Sequence, residues 1–498
     1  MTSKRQNTDN PLYLNLANPV AKLSNYNYLP ILHQNNTYAK QHIKSDIKDY
    51  MKEKVLIIGA GLCGSLLAIK MAQNGYQVEL RESRFDLRNQ ALEGGRSINL
   101  ALSARGLLAL ESIGIGSAIK AQCIPMVGRM IHSVEGELRS SRYSGRKDEV
   151  INSISRTGLN VALLEKADSF KNLHITFDSR CTKVNLKAGS AVFKNKDGSE
   201  DILEADVILG TDGAGSIVRR SMMLKTTDLL FNYSQNFLRS GYKELQIPPA
   251  ADGSWRIEKN ALHIWPRGKF MMIALPNLDG SFTVTMFHPY EGHAGFNTLN
   301  TPEKVQTFFE KYYADSLPHM PDLQEDYFDN PVGVLGTNKC YPWQAYGKVC
   351  IMGDAAHAIV PFYGQGMNAS FEDVRIFDEI HEKHQGNWSK IFTTFQDARV
   401  DNTNAIADLA IDNFYEMQDK VDDIPFIKKR TLEMKLEQTY DDYYSKYSLV
   451  TFRPELPYYE AMRRGRAQDE LLLNLCKKNN IEDLNLDDIY HKIKAIKV

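Results

Sequence analysis

The feature that most constrains this chain is a short apolar run, Val55-Leu56-Ile57-Ile58, that ends directly in Gly59-Ala60-Gly61-Leu62-Cys63-Gly64. A strand that meets G-x-G-x-x-G and then a helix reads as a dinucleotide-binding turn. Gly59 permits the tight turn, Gly61 lets backbone come close to a pyrophosphate, and Gly64 lets the helix pack against the strand. The helix N-terminus then offers unpaired N–H groups and a positive dipole end to the diphosphate. Helical spacing runs over residues 65–74 and stops before Gly75, and Val78-Glu79-Leu80-Arg81-Glu82 reads as a second strand, completing a β-α-β unit. An acid about 20 residues on should take the ribose hydroxyls. Glu79 and Glu82 both qualify; Glu82 is preferred, because ligands of doubly wound sheets lie beyond the carboxyl ends of strands. Arg84 stands close by.

Two later segments, Ile208-Leu209-Gly210-Thr211-Asp212-Gly213 and Val349-Cys350-Ile351-Met352-Gly353-Asp354, each place an aspartate at the end of an apolar strand. Asp212 and Asp354 are thus placed to accept hydrogen bonds from sugar or ribityl hydroxyls. The second segment leads through Pro361 and Gly364 into Gly366-Met367-Asn368 and a helix. Such a glycine-rich helix start aims backbone donors at negative charge developing on a ring such as reduced flavin. His357, a lone histidine in a turn, is read as structural. Only one G-x-G-x-x-G is present, so a nicotinamide coenzyme must bind in passing against the same domain.

Further strands are expected at residues 205–210, 270–275 and 282–287, with helices dominating from Ser370 onward. At 498 residues the chain holds two or three domains. The reading is an α/β fold: a discontinuous Rossmann-like domain (51–230 and 340–400), an inserted antiparallel substrate sheet (231–339 with part of 121–150) and a helical end (401–498). Residues 1–50, with eight Asn between Asn7 and Asn36, form a weakly structured arm without a secretory signal.

Balanced charge, 60 Lys+Arg against 61 Asp+Glu, gives no field for nucleic acid or an acidic membrane. The six cysteines are scattered with no C-x-x-C pair, which points to a reducing compartment and to no metal site. No run approaches the ~18 apolar residues of a membrane span. A soluble, cytoplasmic protein is expected.

Seven more segments complete the pattern: residues 95–106 (Gly-Arg-Ser-Ile-Asn-Leu-Ala-Leu-Ser-Ala-Arg-Gly), 128–132, 263–266, 273–277, 353–357, 360–368 and 447–452. Taken together with the glycine turn, they resemble the FAD-dependent aromatic hydroxylases related to para-hydroxybenzoate hydroxylase, over about residues 54 to 465. The likeness is strongest to members that hydroxylate L-kynurenine to 3-hydroxykynurenine. It implies tightly but non-covalently bound FAD, transient NADPH, O₂ as co-substrate and oxygen transfer from a C4a-hydroperoxyflavin, with no catalytic side chain needed.

By the same resemblance, Arg129, Tyr143, Tyr447 and Asn413 hold the amino-acid end of the substrate; a guanidinium grips a carboxylate bidentately. The aromatic ring rests among Leu262, Ile273, Phe287, Pro361 and Tyr363, and Arg156 resembles a flavin-contacting arginine. The family varies between His and Phe where this chain has Tyr363. Animal members carry a C-terminal membrane segment, whereas residues 466–498 are too short and charged to span. The Asn-rich arm has no counterpart, and a homodimer is compatible with the pattern. Two alternatives share the fold: a hydroxylase of a phenol or salicylate, and a flavin-free binding protein of the Rab GDP-dissociation-inhibitor kind. Intact glycines, Glu82, Asp212 and Asp354 speak against the second.

Overall fold

A computed structural model describes residues 53–89, 99–419 and 423–496, with side chains to Met417 in the middle segment. The Asn-rich arm and residues 95–98 of the family pattern lie outside the described residues. No helix among the described residues is long and apolar enough to cross a membrane.

The strand before the glycine turn, Lys54–Ile58, is the middle of a six-stranded sheet. Its order is Gln344–Ala345, Val349–Ile351, Val207–Gly210, Lys54–Ile58, Gln77–Arg81, Leu173–Thr176. All neighbours run parallel except the first pair. Val55, Leu56 and Ile57 are fully buried, as continuous apolar strands must be when helices cover both faces. Ile58 lies opposite both Gly210 and Arg81, and Gly210 lies opposite Ile351. The register therefore delivers Gly59, Glu82, Asp212 and Asp354 to one edge of the sheet, the carboxyl ends, where such folds bind ligands.

A second sheet follows the order Gly333–Tyr341, Asn232–Ile247, Phe282–Pro289, Met271–Pro276, Ala261–Pro266, Gly128–His132, Leu138–Arg142. It is antiparallel except where Gly128–His132 meets Ala261–Pro266. Leu262 pairs with Arg129, Ile264 pairs with both Ile131 and Ile273, and Ile273 pairs with Thr285, two residues before Phe287. Because side chains alternate along a strand, Arg129, Leu262, Ile273 and Phe287 project from one face.

Helices cover that face. The helix Trp388–Asp419 runs unbroken through residue 400, where the sequence reading divided two regions. Its Phe392 and Phe395 belong to the core of the first sheet, and its Ala405, Ile406, Leu409, Ala410 and Phe414 to that of the second. One apolar stripe serves both cores, so the sequence carries no break there.

Buried charges tie this helix to the flavin-side elements. Arg399 binds Glu372 at 2.6 Å and Asp373 at 2.7 Å, Arg105 binds Glu372 at 2.5 Å, and His357 Nε2 meets Asp373 at 2.5 Å. Asp373 also accepts the Gly353 N–H at 3.0 Å. Glu372 and Asp373 stay below the usual carboxylate range: burial opposes their charge, and the surrounding cations outweigh it. His357 is thus a structural partner of Asp373, stacked on Trp343 at 5.2 Å.

Candidate active site

The glycine turn is built by contacts that leave no room for side chains. A Cβ on Gly64 would lie 1.9 Å from the Gly59 carbonyl oxygen, and one on Gly59, whose φ is +102°, would lie 2.7 Å from the Thr211 oxygen. Gly61, Gly213 and Gly215 instead face open space, with no atom within 4 Å of an added Cβ. Gly61 precedes the helix Leu62–Gln73, which has no side-chain cap and no acid in its first turn. Its free N–H groups suit a diphosphate approaching over Gly61. Thr211 and Asn160, neither singled out from the sequence, brace the turn: Thr211 Oγ1 donates to Gly59 O at 2.9 Å, and Asn160 Nδ2 to Ala60 O at 3.2 Å.

Glu82 stands beside this cradle. Its Oε2 accepts the Ala60 N–H at 2.8 Å, and its Oε1 accepts from the backbone N–H and Nε of Arg84, both at 2.9 Å. Burial disfavours the Glu82 charge, but the Arg84 hydrogen bonds and charge prevail and hold its pKa below the ordinary value. A carboxyl depressed on folding contributes stability above its unfolded pKa, ~4.3, and loses it as pH falls through the folded value. Glu82→Gln is therefore expected to flatten the acid side of the stability curve. Urea midpoints taken from about pH 6 down to about pH 3 check this; parallel curves for the two proteins would contradict it.

Asp212 Oδ2 caps the next helix, accepting the Ile217 N–H at 2.6 Å, while its Oδ1 is buried without a partner. Burial pushes its pKa up. A buried acceptor so exposed to desolvation cost suits a hydroxyl donor, which is what a ribityl chain offers. Asp354 is exposed at the same sheet edge. The turn Pro361–Tyr363 and Gly364, in the left-handed region at φ +67°, then lead into the helix Gly366–His384.

The backbone N–H groups of Gly366, Met367 and Asn368 occupy that helix's first turn, as expected for a site facing an electron-rich ring. The Asn368 side chain is not free to join them. It is fully buried and spends its amide on Ala101 O and Gly364 O, both at 2.8 Å, and its oxygen on the Ser103 N–H at 2.9 Å. Arg156 is exposed at the start of the helix Arg156–Asp168, near enough to Glu244 and Tyr242 of the second sheet to bias their ionisation. The glycine cradle, the unpartnered Asp212 oxygen and the open helix start together fit FAD.

Arg129, Tyr143, Asn413, Tyr447 and Tyr363 line one common cavity. The rings form a ladder, Tyr143 on Tyr447 at 5.3 Å and 11°, and Tyr447 on Tyr363 at 5.3 Å and 16°. The Arg129 guanidinium lies 5.7 Å from the Tyr143 ring and 5.2 Å from the Tyr447 ring, with its Nε buried and unpartnered. Burial keeps all three phenols protonated, raising their pKa values above the ordinary tyrosine value. Asn413 donates to Phe362 O at 2.5 Å, which leaves its carbonyl oxygen as the group able to meet a ligand.

The expected apolar wall is brought together only in part. Leu262 and Ile273 are half-buried and pack with Tyr447. Phe287 is 3 % exposed and used up by core packing on Phe362 at 4.9 Å, and Pro361 is exposed at the head of its turn; of the five expected wall residues only Tyr363 lines the cavity, while Leu262, Ile273, Phe287 and Pro361 do not. Seven charged residues that sequence reasoning missed do line it: Arg139, Arg142, Glu416, Lys429, Arg430, Glu433 and Lys446. Lys446 pairs with Glu416 at 2.6 Å, and Lys429 with Glu433 at 3.2 Å. The paired four come from three helices, with Lys429 and Glu433 one turn apart on the same one.

An FAD cradle at one sheet edge, beside a tyrosine-walled cavity under a second sheet, defines a FAD-dependent aromatic hydroxylase. A family model described as an FAD binding domain matches residues 52–378. Among curated proteins, the kynurenine 3-monooxygenase of Flavobacterium johnsoniae is 42 % identical over 443 residues, 88 % of this chain and 98 % of that protein. The Dictyostelium discoideum enzyme of that name is 41 % identical over 452 residues, 88 % and 96 % of the two chains. The chain belongs to the kynurenine 3-monooxygenase family. Solved structures share the fold at low identity. 2-Methyl-3-hydroxypyridine-5-carboxylic acid oxygenase superposes with TM-score 0.61 at 19 % identity, over 83 % of this chain and 98 % of its own. PqsL of Pseudomonas aeruginosa in complex with 2-aminobenzoylacetate gives 0.59 at 18 %, over 74 % and 97 %.

Proposed function

We propose that this protein hydroxylates L-kynurenine at the ring carbon beside the aniline nitrogen. One O₂ and one NADPH with a proton are consumed, giving 3-hydroxykynurenine, NADP⁺ and water. The observation that carries the reading is the Arg129 guanidinium, left without a carboxylate among the described residues and set against the stacked rings of two tyrosines at the cavity wall.

When bound, FAD supplies the hydride acceptance and oxygen activation; Gly59, Gly61, Gly64, Glu82, Arg84, Asp212, Asp354 and the Gly366–Asn368 backbone would hold it, with Arg156 nearby. The chain's own task is positioning. Arg129, Tyr143, Tyr447 and the Asn413 oxygen take the amino-acid end, and Leu262 and Ile273 flank the ring. The stacked tyrosines keep water away from the reacting centre. No general base is required, since the aniline nitrogen already activates the ring, and Glu416 and Glu433 are committed to lysines. A cytoplasmic setting is supported by six free thiols.

The test is NADPH oxidation by the purified yellow protein. L-Kynurenine should stimulate it strongly, with 3-hydroxykynurenine identified by mass spectrometry. Stimulation by phenol or salicylate instead would move the assignment to another aromatic hydroxylase, and a colourless protein would remove it from flavin enzymes.

A further inference from the structure

We propose that the Tyr363 hydroxyl donates a hydrogen bond to the ketone oxygen of the substrate, and so selects aryl ketones over rings attached through a saturated carbon. The inference rests on the reading of the cavity as a kynurenine site and adds to it a specificity-determining residue.

Three observations meet at this side chain. Tyr363 is 3 % exposed and lines the cavity, yet its hydroxyl is buried with no hydrogen-bond partner. Native interiors pair nearly all such groups, so this one is placed for a partner that arrives with the ligand. The phenol keeps its proton, because burial raises its pKa well above the ordinary tyrosine value; it faces the ligand as a donor. Lys446, whose charge acts on this phenol, is already satisfied by Glu416 at 2.6 Å and Asp469 at 2.7 Å.

Position along the tyrosine ladder decides which substrate atom it meets. Arg129 sits over Tyr143 and Tyr447, whereas Tyr363 is one ring step, 5.3 Å, beyond Tyr447. In kynurenine the carboxyl and ketone carbons are separated by three C–C bonds, about 4 Å when extended, with the ketone oxygen one bond further. A carboxylate on Arg129 therefore brings the ketone level with Tyr363. The ortho-amino group engages one lone pair of that oxygen within the molecule and leaves the other for the phenol.

The experiment compares two ligands on FAD-loaded protein by calorimetry: L-kynurenine and its analogue with the ketone reduced to CH₂, 2-amino-4-(2-aminophenyl)butanoate. The wild type should bind kynurenine roughly tenfold more tightly, and Tyr363→Phe should bind the two alike, since an unanswered polar group is what discriminates. Tyr363→His, which returns a donor to the position, should recover part of the ratio. An undiminished preference in Tyr363→Phe, with its flavin content intact, would overturn the proposal and leave Tyr363 as packing. Failure of the wild type to bind kynurenine at all would instead overturn the substrate reading on which it rests.

Discussion

Replacing Arg129 by alanine is expected to raise the KM for L-kynurenine by roughly two orders of magnitude while the protein still purifies yellow. The guanidinium contributes nothing to the FAD cradle, which is assembled from the edge of the other sheet. Its loss leaves the substrate carboxylate without the cation held against Tyr143 and Tyr447. Removing one partner of a desolvated ion pair costs ~3–5 kcal/mol, and each ~1.4 kcal/mol is a factor of ten in affinity. Arg129→Lys should fall between the two proteins, because an ammonium keeps the charge but not the planar two-point grip. Steady-state kinetics decide the matter, and an unaltered KM would remove Arg129 from the carboxylate site.

The second large effect separates two glycines of one motif. Gly64→Ala should yield a destabilised protein with little flavin, because the new methyl would meet the Gly59 oxygen at 1.9 Å and Thr211 Oγ1 at 2.5 Å. Both neighbours are fixed in the turn, so helix and strand must part; overpacking of this kind costs ~1–3 kcal/mol or more. At Gly61 the φ of −69° suits any residue and nothing stands within 4 Å of a Cβ. Gly61→Val should therefore fold with a near-normal urea midpoint and still lose FAD, since the added bulk occupies the path of the diphosphate. Flavin absorbance and urea midpoints measured on both variants check the contrast. Full flavin content in Gly61→Val would mean that the diphosphate does not pass over that residue.

The parts of this site legible in the sequence are those written locally. A strand, a glycine turn and an acid lie within about thirty residues, and the register confirms that Glu82 emerges beside Ala60. Strand-end Asp212 and Asp354 follow the same logic, and the strands expected at 270–275 and 282–287 appear as Met271–Pro276 and Phe282–Pro289. The proposed grip on the substrate was legible only through family likeness, because Arg129 and Tyr447 are brought together by a sheet and a helix far apart in the chain. The burial of Lys429, Glu433, Lys446 and Glu416 was invisible for a related reason: charged residues on amphipathic helices look solvated until the packing partner is known. At Asn368 the expectation concerned backbone donors at a glycine-rich helix start; its side-chain amide instead stitches that helix to Ala101 and Ser103.

Arg105 carries a consequence for how the molecule comes into being. It is fully buried and donates to the Val450, Arg453 and Leu456 carbonyls while pairing with Glu372 and stacking under Tyr458 at 3.9 Å. Val450 lies 345 residues downstream, which at ~5–20 residues per second means that roughly 20–70 s of translation separate the two. Throughout that interval the nascent flavin domain holds a cation whose three carbonyl acceptors have not yet been made. The ribosome must pass residue 456 before the fold can close, so chains cut short before residue 450 should be captured by chaperones or proteases rather than accumulate as a smaller flavoprotein.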